Sequence, residues 1–439
     1  METAAIEKAR VQIRGNATQA LVVATIGFFG GFLAVALFGP LVPKFAKLMA
    51  LTPLQAGILA AVTNLSGSLL RVPFGAAVDR YGGKGPMLIL LTLSLAGLPG
   101  LIHVVNTYYP NHMTPSLYPW LLLLGVFIGA GIATFSVGIA QVSYWYPKRD
   151  VGQANAIYGG LGNLAPGASS WLLPVAAETW GLSGAYTAWM VALLAITLIY
   201  GFFMHDAPVF QLRRKGISVT AEDLRAYGQD ALPGSDAWGS LKASASRPST
   251  WALVALYFTS FGGFLALSAW FPSFWNGLYG FAPKVGGLLT LAYGTAASLA
   301  RVPGGSLSDR FGAYRILNMA LTALVIGAAT IFLGGSVAIS LTGALIMAVG
   351  MGVQNAAVFK LVPTFGAGAV GGTSGWVGGL GAFGGFAIPV AMGLIAGTTL
   401  GFSGGFLVFL PLAAVNLLLV QWLRNQETKS GQETTDPLV

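Results

Sequence analysis

The sequence contains no cysteine and very few charged residues. Asp, Glu, Lys and Arg together make up 8% of the 439 residues, whereas hydrophobic residues make up 55%. Without cysteine, disulfides, thiolate metal sites and cysteine nucleophiles are excluded. A soluble domain contains about 25% charged residues, so water cannot be the solvent for most of this surface. The composition therefore predicts a membrane protein.

Twelve apolar runs are long enough to cross a bilayer as helices, since one crossing takes about 20 residues. One long polar break separates six of these runs from the other six. The sequence thus predicts an all-α membrane protein with twelve transmembrane helices in two pseudo-symmetric six-helix halves. The predicted segments are a cytosolic N-terminal segment (1–17), an N-terminal bundle (18–204), a cytosolic linker (205–249), a C-terminal bundle (250–424) and a disordered cytosolic tail (425–439).

The basic residues predict the orientation in the membrane. If the N terminus is cytosolic, most of the 23 Lys and Arg residues are also cytosolic, and only Lys44, Lys47 and Lys284 lie outside. Cytoplasmic loops of membrane proteins are enriched in Lys and Arg, which explains the net charge of +9 without a nucleic-acid partner. We therefore expect a multi-pass protein of the plasma (inner) membrane with both termini in the cytoplasm.

The two halves repeat each other in sequence. Pro53 to Asp79 aligns without gaps with Pro283 to Asp309. Homologous six-helix halves form a binding site between them near the midplane. Each repeat closes with the pattern Gly-x-x-x-Asp-Arg-x-Gly, which resembles the loop signature of the major facilitator superfamily. That resemblance implies a gating or structural role, in which acid and base latch neighbouring helices, for Gly75, Asp79, Arg80, Gly305, Asp309 and Arg310.

Each repeat also places an arginine inside a predicted helix. Arg71 and Arg301 lie eight residues before Asp79 and Asp309, respectively, a distance of about 12 Å along a helix. Both arginines are then close to the midplane of a core about 30 Å thick. A charge at that depth costs at least about 2.5–3.5 kcal/mol, so it needs a carboxylate partner or a hydrated cavity.

No acidic residue is available to pair with these arginines. All 14 Asp and Glu residues fall in loops, at helix ends or in the tails. The guanidinium groups can be satisfied by backbone carbonyls and water, or they can bind an anion from outside the protein. Arginine rather than lysine favours a flat oxyanion, because its planar fork donates two parallel hydrogen bonds. The sequence therefore predicts a small-anion site between the two halves.

Two glycine-rich runs, 159–163 and 375–389, lie in predicted helices five and eleven. Neither follows a strand, so neither is a nucleotide-binding loop, and glycine stripes in membrane helices are usually packing faces. Together with the arginines, however, they resemble the two signature motifs of the nitrate/nitrite porter family of the major facilitator superfamily. The resemblance covers most of the chain.

The resemblance implies a set of substrate-binding residues. Arg71 and Arg301 would clamp the anion, aromatic rings would sandwich its plane, and Asn163 would donate a hydrogen bond to it. In the second motif Ala382 replaces the asparagine, so the polar role does not extend there. The implied aromatic and glycine residues are Phe135, Tyr257, Phe261, Gly160, Gly162, Gly379 and Gly381.

Lys360, three residues before Pro363, has two interpretations. It can be a lysine that extends its side chain to the membrane surface. The stretch Ala357 to Pro363 also resembles family members that take up their substrate with protons, and it makes Lys360 a possible coupling residue. The resemblance slightly favours this proton-coupled route over nitrate/nitrite exchange driven by repulsion between the two arginines.

The resemblance implies a secondary active transporter of nitrate or nitrite that works by alternating access, without a cofactor or a metal, as a monomer. An enzyme is disfavoured because His103, His112 and His205 are scattered and no nucleophile, acid and base converge. The alternatives are a carrier of another small anion, such as formate, oxalate or an organophosphate, and a membrane sensor that transports nothing.

Overall fold

The computed structural model describes residues 12–147, 149–225, 227, 229, 237–366 and 369–433. Residues 1–11 of the predicted N-terminal segment, much of the linker after 225 and residues 434–439 of the tail lie outside this part. Every regular element within it is helical.

Eleven helical runs of the described residues are long and apolar enough to cross a membrane. One of them, Val151–Phe203, contains 53 residues, far more than one crossing requires. Gly181 leaves the helical conformation inside this run (φ 72°, ψ 169°) and divides it into α5 (151–180) and α6 (182–203). The prediction of twelve transmembrane helices is therefore confirmed. Besides α5 and α6, the transmembrane helices of the described residues are α1 Ala17–Met49, α2 Pro53–Tyr81, α3 Lys84–Tyr108, α4 Pro115–Trp145, α7 Pro248–Tyr279, α8 Pro283–Phe311, α9 Ala313–Leu333, α10 Val337–Phe365, α11 Val370–Ala396 and α12 Gly401–Lys429.

The last helix is longer than the sequence predicted. The α-helical part of α12 extends from Phe409 to Glu433, beyond the end of the apolar run at Lys429. Residues 425–433 of the predicted disordered tail are therefore helical in the structure. Gln, Glu and Lys in this stretch are good helix formers, and Thr428 Oγ1 donates to Arg424 O (3.0 Å) within the helix.

The linker forms short helices in its described parts: Pro208–Arg214, Ala221–Arg225 and Ala237–Ala245. The last of these, which we call the linker helix, packs against the start of α11. Gly372 N donates to Ser240 Oγ (3.0 Å) and Trp376 Nε1 donates to Leu241 O (2.9 Å). We call the side of the molecule that holds the linker the linker face.

The two halves approach each other closely on the face opposite the linker. A Cβ atom on Gly39 of α1 would lie 2.6 Å from Ala269 O of α7, and one on Gly57 of α2 would lie 2.6 Å from Pro389 O of α11. Only glycine permits such backbone contacts between membrane helices. The interface between the halves is therefore closed on this side.

Candidate functional site

Arg71 is a buried, hydrogen-bonded residue at the centre of the molecule. Its side chain is 1% exposed. Nη1 donates to Gly378 O of α11 (3.0 Å) and Nη2 donates to Ile132 O of α4 (3.4 Å), whereas Nε is buried without a partner. These bonds fix the guanidinium between α4 and α11.

Arg301 approaches the same place from the other half. Its guanidinium carbon lies 5.9 Å from the centroid of the Phe135 ring, and that of Arg71 lies 5.0 Å from the same ring. Arg301 is partly exposed, and its Nη1 atom is buried without a hydrogen-bond partner. None of the ion pairs found among the described residues includes either arginine. Two cations thus face one aromatic ring without a protein anion.

The predicted aromatic residues form a continuous stack at this point. Phe135 stacks on Phe261 (5.4 Å between centroids, 28° between planes), and Phe261 stacks on Tyr257 (4.9 Å, 11°). Arg71 also lies over Phe261, at 5.0 Å. Cation–π contacts of this kind stabilise a desolvated arginine by about 2 kcal/mol. The stack joins α4 to α7 and so connects the two halves.

The helices lose their regular geometry beside these residues. A 3₁₀ turn, Ala130–Ala133, comes just before Phe135. A π-helical turn, Phe258–Gly262, follows Tyr257 and contains Phe261. Such π turns occur often at functional sites. Tyr257 precedes this π-helical turn and Phe261 lies within it, and the two rings still stack face to face.

The first glycine motif supports the aromatic cluster from behind. A Cβ atom on Gly162 would lie 1.8 Å from Phe28 Cδ1, and Phe28 in turn packs on Phe135 with 5.3 Å between centroids. Gly160 faces open space instead, with no atom within 4 Å of such a Cβ position. Asn163 is 2% exposed, and its Oδ1 atom has no partner. Its backbone oxygen accepts from Ser298 Oγ of α8 (2.9 Å).

The second glycine motif brings α11 against both α2 and α7. Gly378 supplies the carbonyl that accepts from Arg71. A Cβ atom on Gly379 would lie 2.5 Å from Val72 Cγ2, and one on Gly381 would lie 2.8 Å from Tyr257 Cβ. In this conformation Gly379 and Gly381 therefore serve the site through close packing around Arg71 and Tyr257.

The two superfamily loops hold their acids in different ways. Asp309 pairs with Lys360 (2.7 Å), whose Nζ atom also donates to Ser308 O (2.7 Å). Asp79 accepts instead from the hydroxyl of Tyr144 (2.6 Å). Each contact joins two helices of the same half, α8 to α10 and α2 to α4. Gly75 lies beside Ser136 at ordinary contact distance, and Gly305 faces open space.

The two loop arginines are not part of these contacts. Arg80 lies over the ring of Tyr81 and Arg310 lies over the ring of Phe311, each at 5.2 Å. Both arginines are exposed on the linker face.

A cavity of about 410 Å³ leads from the linker face to Arg71. It follows α2 from Asp79 to Arg71, and its walls include Phe135, Phe359 and Gly378. Arg301, Tyr257 and Phe261 do not line it. Ser240 and Leu241 of the linker helix lie at its mouth. A small anion bound at Arg71 would therefore have a path to the linker face in this conformation.

Several aromatic residues of the site were missed from the sequence. Phe32 lies under Arg71 at 5.7 Å, Tyr158 stacks on Phe28 at 4.8 Å, and Phe359 meets Tyr257 edge to face at 5.0 Å. Phe28 and Phe32 have no local motif that distinguishes them from ordinary core residues. Tyr158 directly precedes the first glycine run and Phe359 directly precedes Lys360, and these positions were the available signals.

Comparisons with known proteins agree with this architecture. The family model described as Major Facilitator Superfamily matches residues 24–387 and 283–437. In solved structures, the xylose transporter XylE from E. coli, in a partially occluded inward-open conformation, superimposes with a TM-score of 0.71 at 14% identity, covering 92% of this chain and 97% of that one. The human organic anion transporter MFSD10 superimposes with a TM-score of 0.64 at 16% identity, covering 93% and 100%. These likenesses show the fold.

Curated relatives indicate which family of this superfamily the chain resembles. The probable nitrate/nitrite transporter NarK2 of Mycobacterium tuberculosis (strain H37Rv) is 32% identical over 386 residues, covering 87% of this chain and 89% of its own. The nitrite extrusion protein of Bacillus subtilis (strain 168) is 26% identical over 409 residues, covering 93% and 94%. The chain therefore belongs to the nitrate/nitrite transporter family of the major facilitator superfamily.

Proposed function

We propose that this protein transports nitrate and nitrite by alternating access, with the anion bound between Arg71 and Arg301. The supporting observation is the pair of guanidinium groups that share the Phe135 ring and have no carboxylate partner within the described residues. The names of the curated relatives support the choice of substrate.

The geometry suits a flat monovalent oxyanion. Arg71 Nε and Arg301 Nη1 are buried donors without a hydrogen-bond partner among the described residues, and hydrogen bonds to charged groups contribute about 1.5–3 kcal/mol each. The stacked rings of Phe135 and Phe261 offer a flat apolar wall. A planar ion with delocalised charge loses less hydration free energy against this wall than a compact polyvalent anion would. Nitrate and nitrite meet both requirements.

One face of the molecule is closed and the other is open, as alternating access requires. The contacts at Gly39 and Gly57 close the face opposite the linker, while the cavity at Arg71 opens toward the linker face. Following the distribution of Lys and Arg, we assign the linker face and both termini to the cytoplasm. This conformation is then the inward-facing one, in a monomer of two six-helix halves.

For coupling we propose nitrate/nitrite exchange. With the site empty, two like charges lie beside the same aromatic ring, and their repulsion opposes closure until an anion arrives. Lys360 does not line the anion cavity, and it already has Asp309 as a partner. That contact supports a role for Lys360 as a latch between α8 and α10 rather than as the proton carrier favoured by the resemblance.

The substrate assignment is tested by competition in proteoliposomes. We expect unlabelled nitrite to compete with isotope-labelled nitrate, and formate, oxalate and glycerol phosphate to compete weakly at the same concentration. If one of those three competes as well as nitrite does, the chain is a carrier of another small anion.

A further inference from the structure

A second, smaller cavity lies on the face opposite the linker. Its volume is about 190 Å³, and it is lined by the ends of α1 and α2, by α7 and by Phe402. We call it the outer cavity. Its residues on α1 and α7 include Pro43, Ala46, Trp270 and Ser273. None of these residues belongs to the arginine site.

The outer cavity lies directly beyond the contacts that close this face. Trp270 follows Ala269, whose carbonyl meets Gly39 of α1. Pro53, which also lines the cavity, has its carbonyl 2.7 Å from the position of a Cβ atom on Gly393 of α11. Both of these contacts join the N-terminal half to the C-terminal half. The outer cavity therefore lies just outside these two contacts, Gly39–Ala269 and Pro53–Gly393, which we call the gate.

Two buried polar side chains in its wall have no hydrogen-bond partner. Trp270 is 2% exposed and Ser273 is 5% exposed, and neither Trp270 Nε1 nor Ser273 Oγ is bonded within the described residues. An indole N–H can only donate, and a buried donor without an acceptor costs about 1–3 kcal/mol. The residues that line the cavity thus include two donors that lack an acceptor within the described residues.

Two lysines are sequence neighbours of residues that line this cavity. Lys44 and Lys47 are exposed and stand next to the lining residues Pro43 and Ala46. Neither lysine takes part in the ion pairs found among the described residues, whereas Lys284 on the same face pairs with Glu178 (3.6 Å). Such a field raises the local concentration of anions.

We propose that the outer cavity is a second anion site, where a small monovalent oxyanion waits while the gate is closed. The proposal rests on the function proposed above and extends it to the loading step. Trp270 and Phe261 lie on the same helix, nine residues or about 14 Å apart. When the Gly39–Ala269 contact opens, an anion held by Trp270 and Ser273 can move along α7 to the arginines.

The absence of cysteine allows a direct test by site-specific labelling. Ser273→Cys, and Ala46→Cys as a second position in the same wall, would be treated in intact cells with a negatively charged, impermeant methanethiosulfonate. Nitrate and gluconate would be compared at equal ionic strength. We expect nitrate at four times its half-saturating concentration to slow modification about fivefold by occupancy. Thr399→Cys, exposed on the same face, is the matched control and should show no protection.

The same measurement in an Arg71→Lys background separates the two sites. Protection that persists there supports an independent outer site. Protection that disappears shows that nitrate acted through the arginine site, and it overturns the proposal. Failure of both cysteines to react, or lack of protection in a protein that still transports nitrate, also overturns it and leaves the proposed function intact.

Discussion

The two central arginines differ in how firmly the protein holds them. Arg71 is buried and bonded to the carbonyls of Ile132 and Gly378, whereas Arg301 is partly exposed and its Nη1 atom is unpartnered. We infer that Arg71 is the fixed side of the anion site and that Arg301 is the adjustable side. The sequence predicted both residues because the repeat made them stand out as charges without partners. It could not predict this asymmetry, which depends on carbonyls from α4 and α11.

Phe135 is the residue that both guanidiniums contact. Replacing it with Leu keeps an apolar side chain but removes the ring, and with it the cation–π contacts at 5.0 Å and 5.9 Å. At about 0.5–2 kcal/mol for such contacts, we expect Phe135→Leu to weaken nitrate binding about 2- to 30-fold in titrations of purified protein. Unchanged affinity would show that the ring serves only as core packing. Phe274→Leu, a buried ring without an arginine contact, is the control.

At the scale of helices, the glycine motifs work by letting elements approach, and neighbouring glycines differ sharply. Gly162 faces the ring of Phe28, whereas Gly160 faces open space. The sequence identified both motifs but could not rank their members, because the ranking depends on which neighbour each residue meets.

We expect Gly162→Ala to disturb the cluster behind Phe135 and to destabilise the protein by about 1–3 kcal/mol, as overpacking usually does. Gly160→Ala should leave the thermal unfolding temperature unchanged, because its Cβ meets nothing in this conformation. Thermal unfolding of the two purified variants measures the difference. Equal destabilisation would contradict the packing account. Loss of transport in a stable Gly160→Ala variant would indicate that Gly160 faces the anion itself.

The linker helix depends on one glycine of α11. A Cβ atom on Gly372 would lie 2.2 Å from Ser240 O, whereas one on Gly371 would meet no atom within 4 Å. We expect Gly372→Val to release the linker helix, and Gly371→Val to leave it docked. With Ser244→Cys as the reporter, since Ser244 is 0% exposed, thiol labelling should become faster only in the Gly372→Val variant. Similar labelling rates in both variants would show that this contact does not hold the helix.

At the scale of the whole molecule, the two halves repeat the fold but not the contacts of their loops. Asp309 has a lysine partner, whereas Asp79 has a tyrosine. The helix count could be predicted from hydropathy, because lipid requires long apolar helices. The helical tail could not, because hydropathy does not record the helix propensity of Gln, Glu and Lys. The docked linker helix could not either, because its position depends on tertiary contacts with α11.

Coupling is a property of the whole transport cycle, and a substitution of Lys360 distinguishes proton coupling from nitrate/nitrite exchange. If Lys360 is a latch, Lys360→Met changes the rate of nitrate exchange in proteoliposomes and leaves its response to a pH gradient unchanged. If Lys360 carries the proton, the variant loses pH-driven accumulation but still exchanges nitrate, and the exchange proposal is wrong. Lys284→Met, which removes an exposed lysine on the opposite face, is the control.

The most direct test of the account is nitrate binding and exchange by Arg71→Lys and Arg301→Lys. Lysine keeps the positive charge but loses the planar fork, so we expect each variant to fold yet to bind nitrate about 10- to 100-fold more weakly, which corresponds to the loss of one charged hydrogen bond. Exchange should fall in parallel. Arg315→Lys, an exposed arginine on α9, should match the wild type. Wild-type binding and exchange in a well-folded Arg71→Lys or Arg301→Lys variant would contradict the two-arginine clamp.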